Sequence, residues 1–572
     1  MEAYSVKGAD WVVIPALIIA AWVVLSRCVL SWPLDVHLRD DAYYYFCWAR
    51  SLANGDGPCV TPGVATSGVQ ILWALLLSGV AFVCGSAVLP AASVFLGLAL
   101  HLGTAVMVYR AARPQHTIGL LAACAYSGAP FLATEAMNGQ ETALACFALA
   151  LFLLVHHKGP RAFLWAGFFV VAARADLILL VAVVALVEPR ARAPRIVLTA
   201  LIFAMYAGLN LLVAGHWMQD SAAPIPWLIE QEFDTTFGAR MELLWQHTWT
   251  ILLGTPFRLS STPMAVAWFL AAWFGIRRRE SRFAWLLLGA LSLVCLHYYW
   301  RCYPRDYYFV PFGIAMVLAT LRLCQLVPRL GFALLVLAVV GNGYRFFRYP
   351  VRTFQWQREM TMAGQFINEF IPADEPIGCF NSGIVMWHRE SHVINLDGVV
   401  NRPAFEALKR GELLAYLRDQ KVRYLVDNPA QFEQAGVHAN GRHFGESFNS
   451  STDLEEVVRF TWPGDNKPRG RAGMEHFSLY RIRAEGRAPF FPHDGLLEDA
   501  RDLGDAPKGR YVQWAGMVNV ELKVNGVVVL TFEKEIIHVI QIPFSERYRD
   551  GESVTVSAGQ WGNESVLTIA PK

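Results

Sequence analysis

Two adjacent carboxylates open the most informative stretch of the chain. Arg39-Asp40-Asp41-Ala42-Tyr43-Tyr44-Tyr45 runs on through Trp48-Ala49-Arg50 to Asn54-Gly55-Asp56-Gly57. An Asp ahead of a helix commonly serves as a cap, because its oxygen satisfies an orphan amide and its charge meets the positive end of the helix dipole. Two consecutive Asp residues with a flanking Arg exceed that need, and a carboxylate beside a bilayer has the chemistry of a general base. Both readings follow from residue type. Glu135 and Glu141 flank a second turn, Arg174 and Asp176 interrupt an apolar run, and Arg305 precedes Tyr307-Tyr308. Guanidinium forks match phosphate oxygens, which makes Arg174 and Arg305 candidates for holding a phosphate. The plainer alternatives are an intramembrane pair with Asp176 for Arg174 and interfacial snorkelling for Arg305. His216 borders an apolar run and suits an interface before it suits catalysis. Asn381 and Asp397 lie in polar turns, where turn chemistry comes first and ligand contact second.

Apolar runs must position these groups. The chain has 572 residues, 55% hydrophobic and only 17% charged, against roughly a quarter charged in soluble proteins. The deficit is concentrated between Trp11 and Tyr344. A span needs ~20 mostly apolar residues. Runs occur at Trp11–Trp32, Pro90–Tyr109, Ile118–Ala133, Thr142–Val155, Phe163–Val187, Ile196–Val213, Pro263–Ile276, Phe283–His297, Tyr308–Leu321 and Leu330–Val340. Phe163–Val187 is predicted to be two short helices meeting at the polar apex Arg174–Asp176, which makes about eleven spans. The first run lacks a small-residue cleavage site and reads as an anchor. Ile71–Val83 is apolar but short and is predicted to lie along the membrane surface.

With a cytoplasmic N-terminus, the inside loops collect Lys7, Arg110, Arg113, Lys158, Arg161, Arg190, Arg192, Arg195, Arg277-Arg278-Arg279, Arg282, Arg322 and Arg329. That is the positive-inside bias. It places Asp40, Asp41 and everything from Arg345 onward outside the cytoplasm. A net charge of +2 without a basic, aromatic-interleaved patch excludes nucleic acid as a partner. The 10 cysteines form no CxxC pair, so no zinc site is expected. Cys47 and Cys59 share one loop and can pair in an oxidising compartment.

The C-terminal part has ordinary soluble composition. Alternating helical and strand patterns over residues 345–485 predict an extracytoplasmic α/β domain. A polar linker follows at 486–508. Residues 509–572 are predicted to form a β-rich, sandwich-like domain, with Asn525-Gly526 as its hairpin turn. The transmembrane domain occupies residues 1–344.

The stretch DDAYYYFCWARSLANGDG, followed by TPGVATSGVQILWALLL, resembles the first-loop signature of GT-C membrane glycosyltransferases, nearest to their arabinofuranosyltransferase-like branch. NGQETAL at Asn138–Leu144 is similar to that branch's Gly-Met-Glu-Thr-Ala-Leu, ARADLILL at Ala173–Leu180 to its Arg-Pro-Asp/Glu, and RDYYFVP at Arg305–Pro311 to its Arg-Tyr-x-x-Pro. AGHWMQDSAAP at Ala214–Pro224 stands where the branch has Gly-x-x-x-Pro-Asn, and the likeness extends through IGCFNSG and INLDGVVN to Asn401. Cys47 and Trp48 depart from its Arg-Tyr-Ala-Arg, and Ala175 from the Pro of Arg-Pro-Asp.

The resemblance implies a polytopic α-helical membrane protein of the GT-C fold in a bacterial cytoplasmic (inner) membrane. It implies an inverting transfer of a sugar, arabinofuranose or a hexose such as mannose, from a polyprenyl-phosphate donor. The acceptor would be an envelope glycan, a lipid-linked saccharide or a surface protein on the outer side. Asp41 or Asp40 would be the base, with Asp41 favoured by its spacing to Arg50. Arg305 and Arg174 would steady the donor phosphate, while Glu141, Glu135, His216, Asn381 and Asp397 would place the acceptor or support the base. No cofactor or obligatory metal is expected; the partners are the lipid-linked donor, the acceptor and membrane lipids. The alternatives are a polytopic lipid or solute transporter, which should show paired halves with interrupted helices, and a non-catalytic receptor with an outer binding domain.

Overall fold

The computed structural model describes residues 37–112, 115–187, 191–232, 236–242, 262–277, 296, 306–348, 354, 357–389, 392–434, 439–461 and 476–483, together with strands at 519–524, 527–532, 539–541, 554–560 and 563–569. The predicted anchor Trp11–Trp32, the run Phe283–His297 (apart from Leu296), Arg305 and the linker 486–508 lie outside the described residues. Two compact units result. The first is Met1–Thr353 with Val399–Arg402, and the second is Phe354–Gly398 with Pro403–Lys572.

The first unit is helical. Helix α1 (Asp40–Asn54) carries both Asp residues in its first turn, where the dipole favours negative charge. After an irregular loop, α2 (Ile71–Cys84) buries Ile71, Trp73, Ala74 and Leu77 on one side and packs on α1. Its end exposes Phe82 and Val83 at 79% and 80%, an apolar surface consistent with the predicted place along a membrane. Next come α3 (Leu89–Ala111), α4 (His116–Ser127) and α5 (Pro130–Ala136). The run Ile118–Ala133, expected as a single span, is two helices bent by 62°. Pro130 supplies the reason: it has no amide to continue α4 and it restricts the residue before it, so it starts a new helix instead.

Helix α6 (Thr142–Val155) packs on α3 and on α7 (Pro160–Ala173). Helix α7 stops at Arg174, which is extended, and α8 (Ile178–Val187) begins after a short 3₁₀ turn at Ala175–Leu177. The predicted polar apex is therefore a true helix break. Helices α9 (Arg192–Ala214), α10 (Pro224–Glu232), α11 (Thr262–Arg277), α12 (Phe312–Leu326) and α13 (Pro328–Arg348) follow among the described residues. The Asn342 side-chain amide of α13 donates to the Ala125 carbonyl of α4 at 2.8 Å. By length and composition, two described helices can each cross a membrane alone, Ser86–Ala111 and Arg192–Ala214, and the bent α4–α5 pair makes a third.

The second unit opens with α14 (Arg358–Phe370), whose Phe366 ring meets Phe460 at 5.6 Å. Strands β1 (Ile377–Cys379), β2 (Val393–Asn395) and β3 (Tyr424–Asp427) are parallel, with β1 central and Ile377 facing both Val393 and Tyr424. Helices α15 (Gly383–His388), α16 (Arg402–Arg410) and α17 (Leu413–Asp419) fall between them in sequence. Strands β4 (Leu454–Thr461) and β5 (Phe477–Ile482) extend the sheet antiparallel from β3, giving the α/β mixture that the residue pattern predicts. Buried Arg389 donates to the carbonyls of Ile367, Pro372 and Glu375, closing the end of α14. Burial lowers its guanidinium to about 10.

In the last segment, β6 (Asn519–Val524) and β7 (Val527–Phe532) form the antiparallel hairpin expected around Asn525-Gly526, with Val524 opposite Val527. They join β9 (Val554–Gln560) and β10 (Asn563–Ile569) in a four-stranded sheet. Strand β8 (Val539–Gln541) instead pairs with β4, Ile540 opposite Phe460, so the α/β sheet recruits a strand from the terminal segment.

Candidate active site

The start of α1 meets the turn between α5 and α6. Arg39, just before the helix, reaches Glu135 at 2.5 Å, and both side chains are buried. Asn138 holds this turn by donating to Glu135 Oε2 at 2.8 Å and accepting from the Gln140 amide at 2.8 Å. Gly139 has φ +86°, and a Cβ there would lie 2.7 Å from Ala42 Cβ and 2.9 Å from Leu38. Only glycine lets the turn lie so close against α1.

Asp41 is half-buried. Its Oδ2 accepts from the Tyr307 hydroxyl at 3.3 Å and from Gln140 Nε2 at 3.4 Å. These contacts are long for hydrogen bonds to a carboxylate, so they orient the group without saturating it. Asp40 is also half-buried in the same turn. Arg39 stacks over the Tyr307 ring, 4.9 Å from its centroid.

Deeper in the unit, the Tyr45 hydroxyl donates to Glu141 Oε2 at 2.6 Å. Burial raises the Glu141 carboxyl, against the lowering influence of Arg174 and the Tyr45 hydrogen bond. Arg174 is 2% exposed. Its guanidinium pairs with Asp176 at 3.1 Å, donates to the Tyr307 carbonyl at 2.9 Å, and lies 5.2 Å from the centre of the Tyr308 ring. The break between α7 and α8 therefore delivers a cation that grips the backbone of the residue touching Asp41. Phosphate contact at Arg174 would require one of these partners to be exchanged.

Five of the sequence candidates thus converge here: Asp40, Asp41, Glu135, Glu141 and Arg174. Arg305 lies outside the described residues. His216 is half-buried just beyond the end of α9 and makes no hydrogen bond or ion pair with the described residues of this cluster. Tyr307 was not singled out by residue type, because a Tyr in an aromatic-rich chain carries no signal of its own. Its role appears only when its hydroxyl, ring and carbonyl are seen meeting Asp41, Arg39 and Arg174. Among the described residues, no group of three or more His, Cys, Asp and Glu side chains is arranged to hold a metal ion. Cys47 and Cys59 are free thiols.

Asn381 and Asp397 belong to the second unit. The Asn381 amide and side chain both donate to Asp427 at 2.8 Å, as do the amides of Phe380 at 2.9 Å and Asn428 at 2.8 Å. Burial pushes the Asp427 carboxyl up, while these donors pull it down. Asn395 accepts from the Gly398 amide at 3.1 Å, which shapes the turn containing Asp397.

Residues 350–480 match a family profile described as a "Domain of unknown function (DUF8728)". No curated protein matches the chain. Among solved structures, the crystal structure of ArnT from Cupriavidus metallidurans in the apo state matches with a TM-score of 0.52 and 13% identity, over 85% of this chain and 99% of that one. The same protein bound to undecaprenyl phosphate matches with a TM-score of 0.45 and 12% identity, over 85% of this chain and all of the other. The first of these likenesses shows that the chain is similar to ArnT in fold.

Proposed function

We propose that the first unit is an inverting glycosyltransferase that takes its sugar from a polyprenyl-phosphate donor, with Asp41 as the general base. The observation that carries this is the setting of Asp41, a half-buried carboxylate at the start of α1, oriented by Tyr307 and Gln140. It stands in a fold similar to that of ArnT. In the reaction, Asp41 accepts the proton of an acceptor hydroxyl as that oxygen attacks the anomeric carbon. The bond from that carbon to the phosphate oxygen breaks, and the lipid phosphate leaves with the electron pair. Proton acceptance by a positioned side chain contributes about 10²–10⁴-fold. Cations steady the departing phosphate, a role the sequence assigns to Arg305 and Arg174. The resemblance to the arabinofuranosyltransferase-like branch favours arabinofuranose as the sugar, and an acceptor on the outer face of the membrane. No divalent metal is needed when guanidinium groups neutralise a monophosphate.

The test uses the full chain purified in detergent, with radiolabelled polyprenyl-phosphate arabinose or mannose and an envelope fraction as acceptor. Asp41→Asn should lower transfer by about 10²–10⁴-fold with unchanged yield of folded protein, and Asp40→Asn should impair it strongly. Transfer should persist in chelator. Near wild-type turnover in both Asp variants would remove the base assignment.

A further inference from the structure

Asp220 lies in the first unit, in a short 3₁₀ turn before α10. Its side chain is 2% exposed, a costly place for a carboxylate unless partners compensate. Its Oδ2 accepts from the Thr66 hydroxyl and from the Ser67 amide, each at 3.0 Å. Its own amide donates to the Ser67 hydroxyl at 3.2 Å. The loop it grips is irregular apart from one bridge between Cys59 and Ala65, so side chains must fix its path. Two consequences follow along the chain. At Gly68, a Cβ would lie 2.1 Å from the Val399 carbonyl oxygen, so the loop and the Val399–Arg402 segment touch backbone to backbone. Gln70 then donates its amide to the Tyr45 hydroxyl at 3.4 Å and accepts the Ala175 amide on its side chain at 3.2 Å. Gln70 therefore joins the Tyr45–Glu141 pair to the Arg174 apex.

The hydrogen bonds alone could be made by Asn. The charge has a separate use: Arg402 Nη1 lies 3.8 Å from Asp220 Oδ1, and Asp220 Oδ1 has no hydrogen bond. Arg402 is distant in sequence from the rest of the unit, yet it belongs to it.

We infer that Asp220 is a positioning residue of the transfer site, a clasp that uses its charge to draw in Arg402 and its oxygens to set the Thr66–Gln70 loop. Through Gln70 the clasp fixes both Tyr45 and the Arg174 apex, so the site is incomplete without Val399–Arg402. This rests on the glycosyltransferase reading, in which the departing lipid phosphate binds near that apex.

The test titrates the full chain in detergent with undecaprenyl phosphate, following tryptophan fluorescence, and records thermal unfolding in parallel. Asp220→Asn keeps the acceptor oxygen and removes the charge, Arg402→Gln removes its partner, and Gly68→Ala pushes Val399 away. Each should weaken binding by about tenfold, as expected for removing one coupled contact, with the unfolding midpoint unchanged. Arg402→Lys, which keeps the charge, should bind nearly as wild type. Unchanged affinity in Asp220→Asn and Arg402→Gln would overturn the clasp, and so would affinity losses matched by falling midpoints. If the wild type itself fails to bind, the glycosyltransferase reading fails, and hydrogen exchange decides the clasp separately. Faster exchange of the Thr66–Gln70 amides in Asp220→Asn supports it, and unchanged exchange refutes it.

Discussion

Asp41 in the first unit and Asp427 in the second are both carboxylates at the edge of a regular element, and their surroundings are opposite. Asp427 is fully buried and accepts from Phe380, Asn381 and Asn428 at 2.8–2.9 Å. Its lone pairs are committed to shaping the ends of β1 and β3. Asp41 is half-exposed, its two contacts are 3.3 and 3.4 Å, and capacity remains on its oxygens. A saturated carboxylate is architecture, whereas an unsaturated one with oriented neighbours can take a proton. Burial alone would rank Asp427 above Asp41.

That contrast can be broken from either side. The largest effects are expected where a buried partner is removed, and the first such place is the pair beside Asp41. Arg39→Ala leaves Glu135 without its partner, and breaking a buried pair from one side costs about 3–5 kcal/mol. Loss of the folded fraction in detergent, read by size-exclusion chromatography, would register it; an unchanged profile would mean that Glu135 is neutral or finds water. Asp427→Ala strands several buried amides at about 1–3 kcal/mol for each unsatisfied group. It should lower the thermal midpoint of the second unit and speed exchange of the Phe380 and Asn381 amides, while undecaprenyl phosphate binding stays intact. Tyr307→Phe removes only a hydroxyl. It should reduce transfer by about 10–10²-fold, since a hydrogen bond to a charged group contributes about 1.5–3 kcal/mol, and leave the midpoint in place; an equal fall in both would make Tyr307 architecture like Asp427.

The smallest effect concerns pH. Burial raises the folded-state value of Asp427 above the unfolded one, so the folded chain holds that proton more tightly. Its contribution is full below the unfolded value near 3.8 and is lost as pH rises through the folded value. Unfolding of Asp427→Asn followed between pH 4 and 7 should show a flatter pH dependence than the wild type. Identical slopes would show that the donors balance burial, and a difference of opposite sign that they outweigh it.

Local features of both regions are legible in the residue pattern. The Asp pair at the start of α1, the break at Arg174–Asp176 and the hairpin at Asn525-Gly526 follow from charge, polarity within an apolar run and turn chemistry. The bend at Pro130 was signalled by its proline but hidden by the apolar character around it. Long-range pairings are another matter. Arg39 with Glu135, Tyr307 with Asp41 and Asp220 with Ser67 join residues about a hundred or more positions apart. Each member alone looks like a residue at the end of a span. Strand β8 makes the same point: three residues of β pattern carry no information about which strand they will join.

The brevity of several apolar helices has a further consequence. Helices α6, α7, α8 and α12 have 14, 14, 10 and 15 residues. At 1.5 Å per residue each reaches roughly 15–23 Å, short of the ~30 Å hydrocarbon core of a typical bilayer. Lipids beside such helices must compress or tilt, at a fraction of a kcal/mol per Å of mismatch. A bilayer that meets helices of this length thins locally to match them. Under the proposed polyprenyl-phosphate donor, such thinning would leave the phosphate less depth to climb before it meets the protein, and acyl-chain length in the surrounding membrane would become a variable of the transfer.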